Sequence, residues 1–351
     1  LSTEKKTTIQ EREKAMSNYL KGKVAVVTGS GQGIGRAIAI GLAAEGAKVV
    51  TNNRKKGSTG KAMISDAQMK NLDSKKKEWF EQGTAAINGD AETTATTIKG
   101  MGGEAVPFFG DISDFDIAGQ LIGTAIDSYG KIDILVNVAG AFGFSAIEKM
   151  TEELFDKVTK VKPKGYFNTI RHAVPYMIAQ KWGRIVNCTS RAFLGDVIKH
   201  AEYCTANAGV VGLTKAVAIE LRKHNITCNA FSPFAKTRAS YELDTYPATV
   251  SKEDIPFVFD NMKFGEEMMK MTPGPEYVAP FICYLASDAG EKISGSVFSL
   301  GGNGIGMFSE PIISNNLTKF DSKPWTMDEL MQQVPRGLMV GYKSPADNPF
   351  G

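Results

Sequence analysis

The sequence predicts an α/β fold: a single domain built on a doubly wound parallel sheet of seven strands, with an insertion after the second strand and a C-terminal extension. Three observations lead there. Seven short runs rich in β-branched and aromatic residues alternate with stretches of helical apolar spacing, the order that lays helices on both faces of a parallel sheet. The first run, Lys23-Val24-Ala25-Val26-Val27-Thr28, ends in Gly29-Ser30-Gly31-Gln32-Gly33-Ile34-Gly35, and helical spacing follows from Arg36 to Gly46. Strand, glycine loop and helix in that order form a Rossmann-type turn, in which a pyrophosphate lies against bare backbone at a helix N-terminus. The last run, Gly295 to Gly302, completes the sheet and leaves 303–351 beyond it.

Taken in order, residues 1–20 are charged and mostly without apolar periodicity, an N-terminal arm. The domain then spans 21–302. Its second strand, Ala47 to Asn52, leads into Asn52-Asn53-Arg54-Lys55-Lys56, where a dinucleotide's adenosine ribose is read. A carboxylate there accepts from the 2′-hydroxyl of NAD, and a cation receives the 2′-phosphate of NADP. Three cations and no carboxylate favour NADP(H) over NAD(H), with Asn53 and Arg54 as contacts; Lys55 and Lys56 read equally well as a solvated charge run. Residues 57–88 lose periodicity and form the insertion. A helix from about Asp90 to Lys99 precedes the third strand, Ala105 to Phe109, and Gly110-Asp111-Ile112 closes it. Helix 117–129 and strand 132–137 follow, then Asn137-Val138-Ala139-Gly140, whose small residues let the chain pass close to a ligand. Thr151-Glu152-Glu153 starts a helix to about Lys162, Tyr166 to Lys181 forms another, and Arg184 to Ser190 is the fifth strand. A helix opens at Tyr203, and strand Ile226 to Phe231 runs into Ser232-Pro233-Phe234-Ala235-Lys236-Thr237. Residues 240–272 mix Met, Phe and charge, as a substrate lid or as core, before the helix Glu276 to Ala286. The extension carries five prolines (311, 324, 335, 345, 349) between amphipathic pieces.

Composition excludes several function classes. Forty-one Lys and Arg against thirty-eight Asp and Glu leave a net charge of +3, too little for a nucleic-acid partner. No apolar run reaches the roughly 18 residues of a membrane span, and the polar start lacks a signal-peptide core, so a cytoplasmic protein is expected. Cysteines 188, 204, 228 and 283 and histidines 172, 200 and 224 show no metal spacing.

The TGxxxGxG form of Thr28 to Gly35, the Asn-Val-Ala-Gly turn at 137–140, and Ser190 thirteen residues before Tyr203 resemble the short-chain dehydrogenase/reductase family. Glu276-Tyr277-Val278-Ala279-Pro280 and the phrase Arg222 to Asn229 are most similar to the (3R)-hydroxyacyl-CoA dehydrogenase units of multifunctional β-oxidation enzymes. The resemblance implies that Tyr203 exchanges a proton with a secondary alcohol or ketone and that Ser190 hydrogen-bonds the developing carbonyl oxygen. It further implies that a lysine binds the cofactor ribose and lowers the tyrosine pKa. Gly29, Ser30, Gly33, Ile34 and Gly35 would hold the cofactor's pyrophosphate, and Asp111 and Ile112 its adenine. Asn137, Ala139, Gly140, Tyr203, Asn207, Pro233 and Thr237 would complete the cofactor contacts, with Thr237 holding the nicotinamide amide. Small-molecule substrates, acyl-CoA among them, are implied, as is a homo-oligomer (dimer or tetramer) through the helices at 166–181 and 205–222, or a hetero-oligomer.

Two positions depart from that pattern. The residue four after the tyrosine is Asn207 where the family has lysine, and Lys162, in Val161-Lys162-Pro163-Lys164-Gly165, stands where the family has asparagine. Either Lys162 sends its ammonium into the space of the missing lysine, or it is a surface lysine and the chain is a cofactor-binding but silent subunit of an active partner.

Overall fold

The computed structural model describes residues 18–57, 64, 66–85, 87–195, 199–249, 272–311, 313–319 and 324–341. Most of the expected arm and residues 250–271 of the expected lid lie outside them. The sheet strands are β1 (Val24–Val27), β2 (Lys48–Asn53), β3 (Ala105–Phe109), β4 (Ile134–Asn137), β5 (Gly183–Cys188), β6 (Ile226–Phe234), β7 (Val297–Gly301) and β8 (Gly304–Met307). The principal helices are α1 (Gly33–Ala44), α2 (Asp66–Lys70), α3 (Ser74–Ala85), α4 (Ala91–Gly100), α5 (Phe115–Tyr129), α6 (Glu152–Thr159), α7 (Gly165–Gln180), α8 (Ala201–Leu221), α9 (Arg238–Thr245), α10 (Ala279–Ala286) and α11 (Met327–Gln333).

The strand order is β3-β2-β1-β4-β5-β6-β7-β8, parallel from β3 to β7. Side chains alternate between two cores, as the period of a strand requires. Ala25, Val27, Ile134 and Val136 join Ile38 and Leu42 of α1 and Ile282 and Leu285 of α10 on one face. Val24, Val26 and Leu135 join Leu121 and Ile122 of α5 and Tyr166 and Ile170 of α7 on the other. Both faces of β1 are therefore buried, which is why its sequence is a continuous apolar run.

The sheet has eight strands rather than seven. Residues 304–307, which the sequence reading leaves in the extension, turn back at Gly302 (φ +55°) and pair antiparallel with β7. All four residues of β8 are exposed, so no buried face marks the strand in the sequence; its ladder hydrogen bonds make it. The insertion, without periodicity in the sequence, carries α2 and α3. Of α3 only Phe80 and Thr84 are buried, too few for apolar periodicity to show. It lies on α9 through Trp79 and Tyr241, 5.1 Å between ring centres, and through the ion pair of Lys76 with Asp244.

Contacts divide the chain into one compact unit ending at Met307 and another beginning at Phe308. Within the second, Thr326 and Glu329 cap α11 reciprocally and Lys319 pairs with Glu329 at 2.8 Å. No helix among the described residues is long and apolar enough to cross a membrane.

Candidate active site

The strand order reverses at β1, between β2 and β4, and the crevice that opens at the carboxyl ends of such strands is where open α/β sheets hold ligands. A cavity of about 610 Å³ lies there. Its floor is the glycine loop. Gly29 (φ +63°) runs so close to Ala139 that an added Cβ would stand 2.7 Å from the Ala139 Cα. At Gly33 (φ +54°) a Cβ would meet only Thr237, 3.5 Å away, so the loop's upper face is open. The Gln32 side chain does not cap α1, and no acidic residue stands in its first turn, which leaves N–H groups and a positive helix end facing the cavity.

The opposite wall is built by a broken helix. α6 and α7 join through a π-turn at Lys160–Lys164. Pro163 offers no N–H and disfavours helical backbone at the residue before it. Lys162 accordingly leaves the helix, at φ −83° and ψ −127°. The break turns its side chain inward, where the residue is 3% exposed and is no surface lysine. Two glycines make room: a Cβ on Gly140 would lie 3.0 Å from the Lys162 Cε, and one on Gly209 of α8 would lie 3.2 Å from the Pro163 ring.

The Lys162 amine donates to the Cys188 carbonyl oxygen and to Asn207 Oδ1, each at 2.8 Å. It stands 5.7 Å from the centre of the Tyr203 ring and 5.8 Å from that of Tyr166. Asn207 Nδ2 donates to the Tyr203 carbonyl oxygen at 2.7 Å, so the amide is held with its oxygen toward the lysine. Burial pushes the Lys162 amine below its ordinary pKa, and the neighbouring Cys188 partly offsets this. Tyr203, which carries the phenol, is half-buried near the start of α8 and lines the cavity together with Ser190. Burial pushes that phenol up to about 12, Cys188 adds to the rise, and Ser190 and Asn207 pull the other way.

Most of the expected site residues line this one cavity: Gly29, Gly33, Ile34 and Gly35, Asn53 and Arg54, Asp111 and Ile112, Ala139 and Gly140, and Lys162, Ser190, Tyr203, Pro233 and Thr237. Three expected contacts do not, because other bonds hold them behind the wall. Ser30 is fully buried and its hydroxyl accepts from the Asn52 N–H at 2.8 Å, shaping the loop from beneath. Asn137 is fully buried between Asn187 and Thr169. Asn207 is fully buried as well, and its oxygen faces Lys162 rather than the cavity. Asp111 lines the cavity, and its carboxylate also accepts from the Ser113 N–H at 2.9 Å, capping the turn that follows β3. Lys56 is engaged with Glu92, which leaves Arg54 as the cation of that run in the cavity wall.

Two wall features escape the sequence reading. Thr28 Oγ1 accepts from the N–H groups of Val138 and Ala139, at 3.0 and 3.2 Å, and so ties the glycine loop to the β4 turn. Tyr166 is fully buried and donates to the Ala139 carbonyl oxygen at 2.9 Å. The sequence carries no signal for it, because the helix breaks at Lys162 and the i, i+4 relation does not hold across the break.

The short chain dehydrogenase family model matches residues 23–87 and 77–243. Among curated proteins, the chain is 32% identical to the 3-oxoacyl-[acyl-carrier-protein] reductase FabG of Thermotoga maritima over 284 residues, 81% of this chain and 98% of that protein. It is 30% identical to the peroxisomal multifunctional enzyme type 2 of Mus musculus over 285 residues, 81% of this chain but only 32% of that protein. The peroxisomal hydratase-dehydrogenase-epimerase of Saccharomyces cerevisiae matches at 29%, again over only 30% of its length. Among solved structures, a short chain dehydrogenase from Mycobacterium avium superposes with a TM-score of 0.69 at 29% identity, covering 93% of this chain and 97% of that one.

Proposed function

Because this chain belongs to the short chain dehydrogenase family, we propose that it is an NAD(P)-dependent oxidoreductase interconverting a secondary alcohol and a ketone in which Lys162 and Asn207 have exchanged places. One observation carries the reading: a buried lysine amine, bonded to Asn207, stands 5.7 Å from the Tyr203 ring. Taken to the ring centre, a cation about 6 Å from a phenolate attracts it by about 3 kcal/mol at an effective dielectric near 20, roughly two pKa units. Asn207 supplies no charge; it accepts one of the three N–H bonds of the ammonium and fixes its direction.

The cavity suits a dinucleotide. The open face at Gly33 and the uncapped start of α1 fit a pyrophosphate. Buried Gln32 Oε1 and Asn53 Oδ1, in residues that line the cavity, have no hydrogen-bond partner and fit ribose hydroxyls. The absence of a carboxylate at 52–56, with Arg54 in the wall, favours NADP(H) over NAD(H). When bound, the nicotinamide supplies or accepts the hydride.

The protein's own part is the proton. A phenol near 12 keeps its proton at neutrality and serves as the acid that protonates a ketone oxygen, with Ser190 donating to the same oxygen. Lys162 then stabilises the phenolate left behind. The Thermotoga maritima relative is by its name a 3-oxoacyl reductase, so the reduction of 3-oxoacyl thioesters is the activity to assay first. The partner surfaces proposed are α7 and α8, in a dimer or tetramer.

Turnover of the purified full chain with a 3-oxoacyl-CoA and NADPH or NADH is the test. The reading expects turnover, with the lower KM for NADPH. Binding of NADPH without turnover of that substrate or of its 3-hydroxyacyl counterpart would favour the silent-subunit alternative.

A further inference from the structure

We propose that Arg238 binds the diphosphate of the dinucleotide and that the insertion after β2 exists in part to hold it there; the inference rests on the dinucleotide reading of the cavity. α9 begins at Arg238, immediately after Thr237, and Thr237 Cγ2 lies 3.5 Å from where a Cβ on Gly33 would stand. The first turn of α9 thus faces the mouth of the glycine loop, and Arg238 lines the same cavity.

The guanidinium is held in place on several sides. Its side chain is 11% exposed, and Nε donates to Glu242 Oε1 at 2.9 Å, a partner that is itself 1% exposed. Its central carbon lies 5.5 Å from the middle of the Phe80 ring, a cation–π arrangement. Nη1 reaches Asn88 Oδ1 only at 3.5 Å, and Nη2 makes no hydrogen bond among the described residues. One edge of the fork does the holding, and the terminal nitrogens remain for a ligand. A rigid planar fork with two spare donors matches paired phosphate oxygens in a way a lysine does not.

Glu242 belongs to α9 itself, and the other two holding residues come from the insertion. Phe80 lies on α3 and Asn88 just after it. α3 is pinned to α9 by the Trp79–Tyr241 contact and the Lys76–Asp244 pair. Gly83 lets the two helices close, since a Cβ there would lie 2.1 Å from the Tyr241 ring. The insertion therefore buttresses the helix that carries the cation.

A coenzyme A thioester also carries a diphosphate, and the contact of Thr237 with Gly33 assigns Arg238 to the cofactor instead. Fluorescence titration of NADPH into the full chain tests this. Arg238→Gln should weaken NADPH and ADP-ribose by about tenfold or more, while adenosine is unaffected. Arg238→Lys keeps charge and stem but lacks the fork, and should fall between. The KM of a 3-oxoacyl-CoA should move no more than that of the matching N-acetylcysteamine thioester, which has no diphosphate. Absence of NADPH binding by the wild-type chain would sink the dinucleotide reading itself. Wild-type binding matched by both Arg238 variants, or an effect confined to the CoA substrate, would overturn this inference alone.

Discussion

Lys162 and Asn207 form a complementary pair, and each is understood only through the other. Asn207 turns its oxygen to the lysine and its amide N–H to the Tyr203 carbonyl oxygen, so a cation introduced at 207 would meet the Lys162 ammonium 2.8 Å from where the amide oxygen now sits. In the proposed reaction Tyr203, pushed up to about 12 by burial, sets the pH dependence. Alcohol oxidation requires the phenolate, whose fraction rises about tenfold per pH unit below that pKa, so oxidative kcat/KM is expected to climb steeply from pH 7 to 9. Reduction requires the protonated phenol and should stay flat over the same range. A pH profile in both directions checks this. Gly140→Val, placing a branched side chain against the Lys162 stem, is expected to cut turnover at least tenfold, by displacing the amine. Steady-state kinetics with a thermal-melt control reads it. At this scale the sequence shows that 162 and 207 are exchanged, because two matched positions depart together. It does not show that Lys162 points inward, because that depends on ψ at one residue and on small neighbours at 140 and 209 from distant strands and helices.

The elements explain how such a residue is placed. Pro163 forces the break that faces Lys162 inward, and the π-turn absorbs it without ending the helical run. The α4 cap plays a comparable part on the glycine-loop side of the cavity. Asp90 Oδ1 accepts from the Thr93 N–H at 2.9 Å and Oδ2 from the Gly57 N–H at 3.1 Å, tying α4 to the loop that carries Arg54. Burial alone would raise this carboxyl, but the N–H donors outweigh it and hold the pKa below the ordinary value. The stability it contributes is therefore present above the unfolded pKa, near 4, and lost as pH falls through the lower folded value. Asp90→Ala should cost about 1–2 kcal/mol at neutral pH, seen in denaturant melts, with the difference shrinking in acid. Element types were legible wherever a buried face repeats, as in α5, whose buried Ala118, Leu121, Ile122 and Ala125 keep helical spacing. β8 and α3 were not, since the one is exposed along its length and the other buries two residues.

For the molecule as a whole, the doubly wound order puts the residues proposed to handle the proton and those proposed to hold the cofactor at one crevice, though they come from positions 29 to 237 of the sequence. That order was readable because the strands are buried on both faces and connected by helices. At the amino end of β5, Arg184 is 1% exposed, and its guanidinium donates to the carbonyl oxygens of Gly183, Asn225 and Ser287 and lies 4.4 Å from the centre of the Trp182 ring. Arg184→Met would leave buried acceptors unpaired and is expected to cost about 2–4 kcal/mol in melts while leaving KM unchanged. The central claim concerns which residue brings the cation to the phenol, and a reciprocal exchange measures it on the intact protein. In kcat/KM for 3-oxoacyl-CoA reduction, Lys162→Asn should lose about 100-fold or more and Asn207→Lys at least tenfold, while the double variant Lys162→Asn with Asn207→Lys recovers a large part of the loss. Wild-type activity in Lys162→Asn, or a gain from Asn207→Lys alone, would contradict the account.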